Sequence, residues 1–405
     1  MRAVRAAGAA LVLFATACAP FGDIGRDSPK TPDDLLVFKR SSYADLKDWG
    51  SSDPRLAYQA FQRSCGKLSA RADSDGFGGA AGYGTVSDWR PACQAALQLT
   101  QETPEGTRRF FETWFVPAQA LNRDEAVGLF TGYYEPELNG SRVQNSKFSV
   151  PLLLRPKDLV QVDLGAFRPA LKGERVAGRV VDGKLVPYAT RAQIVAGGYS
   201  AEPKPLAYVD DGIAAFFLQI QGSGRIRLTN GETIRAAFDG QNGHPYVAIG
   251  RVLIERGEIQ RGQVSMQSIR AWLVAHPAKA QALMNENPSF VFFKELPIAD
   301  ATMGADGAQG VALTSEASLA VDLKFHGLGA PIWIDATSPA ANESVKDEVL
   351  RRLVVAQDTG GAIRGPVRGD VYWGVGAKAE SIAGRMAHKG SMFVLLPKSV
   401  AQRLN

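Results

Sequence analysis

Cysteines and histidines are few in this sequence, and long apolar runs are all but missing; each shortage excludes something. Three cysteines (Cys18, Cys65, Cys93) and four histidines (His244, His276, His326, His388) occur in 405 residues. No Cys-x-x-Cys pair or histidine cluster is present, which argues against a structural zinc site. Past the N-terminus no run approaches the roughly 18 apolar residues of a membrane span. A strong charge imbalance is also lacking. The net charge of +5 is spread along the chain and is not the clustered footprint of a nucleic-acid binder. With 45% hydrophobic and 21% charged residues the composition is that of a folded protein. The length suits two domains.

What is present begins with MRAVRAAGAALVLFATACAP, where Arg2 and Arg5 precede an apolar run and small residues ending at Cys18. This reads as a signal peptide, too short to span a bilayer. Ala15-Thr16-Ala17 ahead of Cys18 resembles a bacterial lipobox, with Ala15 where Leu is more usual. Cys18 is then lipidated and becomes the first residue of the mature chain, and Ala19 after it favours the outer membrane. Simple cleavage near Ala17 would instead release a soluble secreted protein. Cys65 and Cys93 remain. In an oxidising compartment an even remainder suggests one disulfide, contributing roughly 3 kcal/mol on the chain-entropy argument.

Residues 19–40, rich in Pro, Asp, Ser and Lys, read as a tether. Residues 41–70 and 91–121 read as helices, separated by the Gly-rich loop DSDGFGGAAGYGTVSD. From about residue 127 short β runs take over, among them VGLFTGYYEPEL and LAYVDDGIAAFFLQIQGSGRIRL. YVAIGRVLIERGEI and SMQSIRAWLVAHPAKAQALMNENP return to helix, and SFVFFKEL, APIWIDAT, RLVVAQDT and DVYWGVG return to strand. Helix, β, helix, β fits a β domain inserted into another domain.

Three aspartates border apolar runs late in the chain: Asp335 after PIWI, Asp358 after LVVAQ and Asp370 before VYWGVG. An acid at a strand end is held by the sheet and can point into a cleft, although Asp also caps turns. Gly360, Gly361, Gly365 and Gly369 crowd around the second and third. They remove bulk and permit positive φ, which would let a large ligand lie against the backbone. GVGAKA, residues 374–379, superficially matches a dinucleotide-binding turn, but no acid follows about 20 residues later and no room remains for a nucleotide domain. FTGYYEPEL sets Tyr133 and Tyr134 beside Glu135, itself a candidate acid. FLQIQGSGRI sets Gln219 and Gln221 on one face of an expected strand, ahead of Ser223 in a turn. Aromatic faces, amides and hydroxyls suit sugars.

These words, with YATR, NGHPYVAIG, NPSFVFF, LTSEASLAVD and VAQDTGGAIRGPVRGDVYWGVG, resemble in identity and order the membrane-bound lytic murein transglycosylase A (MltA) family over roughly residues 100–400. The resemblance implies a mainly β protein with helices. A double-psi β-barrel domain is split in sequence, with a second β domain inserted and a groove between them. The expected segments are a leader at 1–18, a tether at 19–40, a first barrel part at 41–137, an insert at 138–250 and a second barrel part at 251–405. The last contains a three-Asp region at 310–400 matched to Asp335, Asp358 and Asp370. The family's catalytic aspartate falls on Asp370 and a supporting one on Asp358, with Tyr133, Tyr134, Glu135, Gln219, Gln221, Ser223 and Asp335 as substrate contacts. The implied reaction is cleavage of peptidoglycan glycan strands to 1,6-anhydromuramic acid ends, with one acid serving twice and no metal or other cofactor. Two other readings stay open: a two-carboxylate hydrolase, using Asp370 with Asp358 or Glu135, and a catalytically silent glycan-binding lipoprotein.

Overall fold

The computed structural model describes residues 34–98, 102–168, 171, 175–199, 203–298, 300–342 and 344–404. Cys18 and the leader lie outside the described residues, as does most of the tether. The run RLVVAQD ends the strand Glu348–Asp358, which pairs antiparallel with Pro331–Ser338 and parallel with Ser318–Ala320. Ser318–Ala320 pairs onward with Arg368–Val375, that strand with Gly128–Glu135, and Gly128–Glu135 with Ala387–Pro397. Ala387–Pro397 returns to Pro331–Ser338, which closes a six-stranded barrel. Closure leaves the ring no open edge. Leu319, Val354, Val371 and Val394, all fully buried, belong to its core.

Phe115–Asn122 and Leu36–Arg40 extend the sheet outside the ring along Ala387–Pro397. Helix was expected across 91–121; the structure has helices Val86–Gln98 and Pro104–Trp114, then a strand. Val116 precedes Pro117, and a residue before proline is pushed toward extended backbone, so the helix stops at Trp114. Cys65 and Cys93 are bonded to each other and join the helices Arg55–Leu68 and Val86–Gln98.

At Pro136 the chain leaves the ring and builds a second six-stranded sheet. Its order is Val291–Leu296, Thr233–Gln241, Ser223–Leu228, Glu137–Ser141, Pro205–Val209, Val150–Leu153. The insert was expected to end at 250, but this sheet is completed by Val291–Leu296, laid antiparallel on Thr233–Gln241. The intervening helices Ile249–Glu255, Met266–Ala275 and Pro277–Asn285 pack on Phe216 and Phe217, within the same excursion. A hairpin, Met303–Asp306 with Ala312–Thr314, leads back to the barrel.

FLQIQ also differs from expectation. It lies in a helix, Gly212–Gln221, with the Asp211 carboxylate accepting from the Ile213 and Ala214 N–H groups at its start and Gly222 (φ 82°) at its end. A short helix with apolar residues most of the way round has the same pattern as a buried strand, so periodicity could not separate them.

Candidate active site

One rung of the barrel brings two of the late aspartates together. The register pairs Thr131 with Asp370, Asp370 with Ala320, and Ala320 with Asp358. Directly paired residues point to the same face of a sheet. The two aspartates therefore share a face with one small side chain between them. Tyr133, two residues beyond Thr131, shares that face and donates its hydroxyl to Asp358 Oδ2 at 2.8 Å. Its ring packs on Tyr372, with centroids 5.2 Å apart.

Asp358 is held on several sides. Its Oδ1 accepts the N–H groups of Ala308 and Thr359, both at 2.9 Å, and its Oδ2 accepts Tyr133. Burial nevertheless raises its pKa above the ordinary carboxylate value, with these hydrogen bonds opposing the rise. Asp370 is half-buried. Its Oδ1 accepts the Thr131 hydroxyl at 2.5 Å, and Thr131 Oγ1 accepts from Arg368 Nη2 at 2.8 Å. Desolvation pushes Asp370 up to about 6; Thr131 and Arg368 pull the other way, and Asp358 adds a smaller push upward. The two carboxyls thus differ: Asp358 is strongly hydrogen-bonded, and Asp370 is raised to about 6.

The glycine-rich stretch between them is built to one plan. Asp322, buried, accepts the Gly365 N–H with Oδ2 at 2.9 Å. Thr359 Oγ1 donates to Val321 O at 2.8 Å, and His326 Nε2 lies 2.6 Å from Pro366 O. Of the four glycines, Gly365 alone has positive φ, at 111°. A Cβ on Gly369 would come within 2.9 Å of Leu319 Cδ1, so that position is constrained by core packing rather than by a ligand. In GVGAKA, Gly374 turns at φ 100° where a Cβ would strike Ser315 Oγ at 2.4 Å, a packing role.

Among the other expected contacts, several lie elsewhere. Asp335 bonds Arg351 Nε at 2.8 Å and Lys47 at 3.5 Å. It is paired with Arg351, seven residues before Asp358, hence roughly 23 Å along the strand. The third aspartate bearing on the pair is Asp322, through the loop, a residue the sequence reading missed. Tyr134 is buried, its hydroxyl 4.0 Å from Met266 Sδ. Glu135 is buried against Arg225 and Arg235 and reaches neither the pair nor solvent. Gln219 is buried on its helix, and Gln221 Oε1 accepts the Tyr134 N–H at 3.2 Å. Ser223 is half-buried at the start of its strand. Thr131 and Arg368 were also missed. Thr131 had a signal, since in FTGYYE it stands two residues before Tyr133 and must share its face in a strand.

A closed barrel with two half-buried carboxyls on one face is an arrangement capable of proton transfer. Comparison with known proteins narrows the class. Residues 129–294 match the family model of the MltA specific insert domain, and residues 317–396 match that of the 3D domain. Membrane-bound lytic murein transglycosylase A of Escherichia coli K12 is 33% identical over 316 residues, 77% of each chain. The crystal structure of membrane-bound lytic murein transglycosylase from Agrobacterium tumefaciens superposes with a TM-score of 0.79 at 29% identity, covering 91% of this chain and 100% of that one. MltA of E. coli with bound chitohexaose gives 0.63 at 26% identity, covering 89% and 91%. The chain belongs to the membrane-bound lytic murein transglycosylase A family.

Proposed function

We propose that the chain cleaves the β-1,4 bond between N-acetylmuramic acid and N-acetylglucosamine in peptidoglycan without water, leaving a 1,6-anhydromuramic end. The observation that carries this is the shared rung of Asp370 and Asp358, with Asp370 pushed up to about 6. A carboxyl with that pKa holds a proton often enough near neutrality to deliver it. Protonated Asp370 gives its proton to the glycosidic oxygen as the bond to C1 of the muramic acid breaks. The oxygen leaves as the 4-hydroxyl of N-acetylglucosamine. Asp370, now a carboxylate, removes the proton from the muramic acid C6 hydroxyl as that oxygen bonds to C1. The proton returns to Asp370 and the cycle closes.

Asp358 stays oriented by Tyr133, Ala308 and Thr359, and its proximity helps keep Asp370 protonated. A two-carboxylate hydrolase would need Asp358 to activate a water, but Oδ1 already accepts two protein hydrogen bonds and Oδ2 one, which leaves a single acceptor site. A silent binder gains nothing from a destabilised acid. Asp370→Asn should lower cleavage of purified sacculi by at least 10²–10³-fold while glycan binding persists. Activity within about tenfold of wild type would refute the assignment. The likeness to a structure holding chitohexaose supports a long open groove beside Asp370, suited to a polymer. The run ending at Cys18 supports attachment by a lipid to the periplasmic face of the outer membrane. Replacement of Cys18 by Ser should release the protein.

A further inference from the structure

Glu135 sits where the chain leaves the barrel, at the end of Gly128–Glu135, and its side chain is fully buried. Its partners come from the other sheet. Arg225 Nε donates to Oε2 at 3.1 Å; Arg235 donates to Oε1 from Nε at 2.6 Å and to Oε2 from Nη2 at 3.3 Å. Arg225 and Arg235 face each other directly across their antiparallel pair. Like charges so placed repel unless an anion lies between them. One carboxylate against two guanidiniums leaves an excess positive charge, and both arginines turn it on the same carbonyl. Arg225 Nη2 and Arg235 Nη2 donate to Met303 O, at 3.0 and 2.7 Å.

Met303 opens the hairpin whose far end reaches the carboxyl pair. Gly304 lies against Tyr372, so closely that a Cβ there would be 2.4 Å from the phenol oxygen. Tyr372 packs on Tyr133, the donor to Asp358. Five residues past Met303, the Ala308 N–H donates to Asp358 Oδ1, and Gln309 N–H donates to Gln357 O at 3.0 Å. A buried ion cluster rarely stabilises more than an apolar core would, and its best-attested use is to fix one arrangement against others.

We propose that Glu135, Arg225 and Arg235 are positioning residues: a latch between the two sheets that clamps Met303 O, seats the hairpin over the pair, and so holds Asp358 in its orientation beside Asp370. The inference rests on Asp370 being the acid of the proposed reaction. It gives the second sheet a part in catalysis beyond binding the glycan. With the hairpin loosened, Asp358 loses the Ala308 N–H and becomes a poorer anion. It then keeps its own proton, and the repulsion that helps hold the proton on Asp370 disappears. Of the other groups facing the pair, Tyr133 and Thr131 from one strand and Arg368 from the next do not touch the hairpin at Gly304, whereas Tyr372 does. Asp370 therefore gives up its proton at lower pH.

Two variants test this by separate routes. Arg235→Lys keeps the charge beside Glu135 but lacks the second arm that reaches Met303 O. Gly304→Ala sets a methyl against Tyr372 and displaces the hairpin while every side chain of the ion cluster is kept. For each, kcat and KM on soluble glycan strands are measured across pH, on protein whose near-ultraviolet circular dichroism shows native packing. The expected result is a kcat lowered about tenfold, KM within about twofold of wild type, and a basic limb moved toward lower pH. If Arg235→Lys does not fold, Gly304→Ala decides alone. A wild-type kcat, or a lowered kcat with an unmoved limb, overturns the latch. Asp370→Asn, assayed alongside, tests the underlying reading: if it stays active that reading fails, whatever the latch variants do.

Discussion

An aspartic acid placed half-buried beside a second carboxyl loses solvation in its charged form, and the rest of the fold must offset that loss. For Asp370, raised from 3.8 to about 6, the native chain binds more protons than the unfolded chain between those values. Stability therefore falls as pH rises through that window, and the full penalty applies above pH 6. Asp370→Asn removes the charge but keeps an oxygen for the Thr131 hydroxyl. It should raise stability above pH 6 by on the order of 2 kcal/mol, an advantage that vanishes below pH 4. Denaturant unfolding at pH 7.5 and 3.5 checks this; a variant less stable at pH 7.5 would contradict it. The same pKa predicts that kcat falls about tenfold per pH unit well above 6, since the general acid must arrive protonated. A rate that stays flat to pH 8 would contradict it. Asp358 and Asp370 were legible in the sequence because each ends or begins an apolar run among glycines. Asp335 also borders an apolar run, though without the glycines, and strand register places it far from them. Glu135, beside the paired tyrosines of FTGYYEPEL, was expected as a candidate acid and, from the family resemblance, as a substrate contact. But the register shifts between Tyr372 and Val375, at Gly374, just where Glu135 pairs, and its side chain joins the arginines.

At the scale of an element, the loop from 359 to 367 shows how the fold keeps two acids in place. Asp322 and His326, from one segment, hold it at Gly365 and Pro366. The carbonyl of Pro366 can only accept, so Nε2 carries the proton of the neutral ring and Nδ1 accepts from Tyr83, 2.6 Å away. Burial pushes His326 down to about 4. Between about 4 and the ordinary value of 6.5 the unfolded chain takes up a proton that the native chain does not, so stability is lost as pH falls through that window. His326→Gln can keep both hydrogen bonds without titrating. Its urea midpoint should decline less than that of wild type between pH 7 and 4.5; an equal decline would remove His326 from the account. None of this was legible beforehand. A lone buried histidine has no spacing signature, and its partners Tyr83 and Pro366 are distant in sequence. The four glycines were read as room for a large ligand against the backbone; of them only Gly365 has positive φ, and Gly369 is confined by core packing. The helix Gly212–Gln221 was misread because it is buried on several sides and presents no polar stripe.

For the whole molecule, the strand content and the excursion from the barrel could be read from the alternation of β and helical runs. The closure of the ring could not, because it depends on pairings between residues more than two hundred positions apart, such as Thr131 with Asp370. The end of the excursion was misplaced for the same reason: SFVFFKEL reads as a strand, and nothing local says that it completes the second sheet. The split brings Thr131, from the first part of the barrel, onto the rung of Asp370 and Asp358, from the second, with Tyr133 beside it on the same face. The central claim is that this rung makes one acid sufficient and water unnecessary. Digestion of purified glycan strands in ¹⁸O-labelled water, with mass analysis of the new muramic ends, tests it directly. The account predicts ends lighter by one water than the hydrolysis product, with no label incorporated, and none released by Asp370→Asn. Reducing muramic ends that carry the label would contradict it.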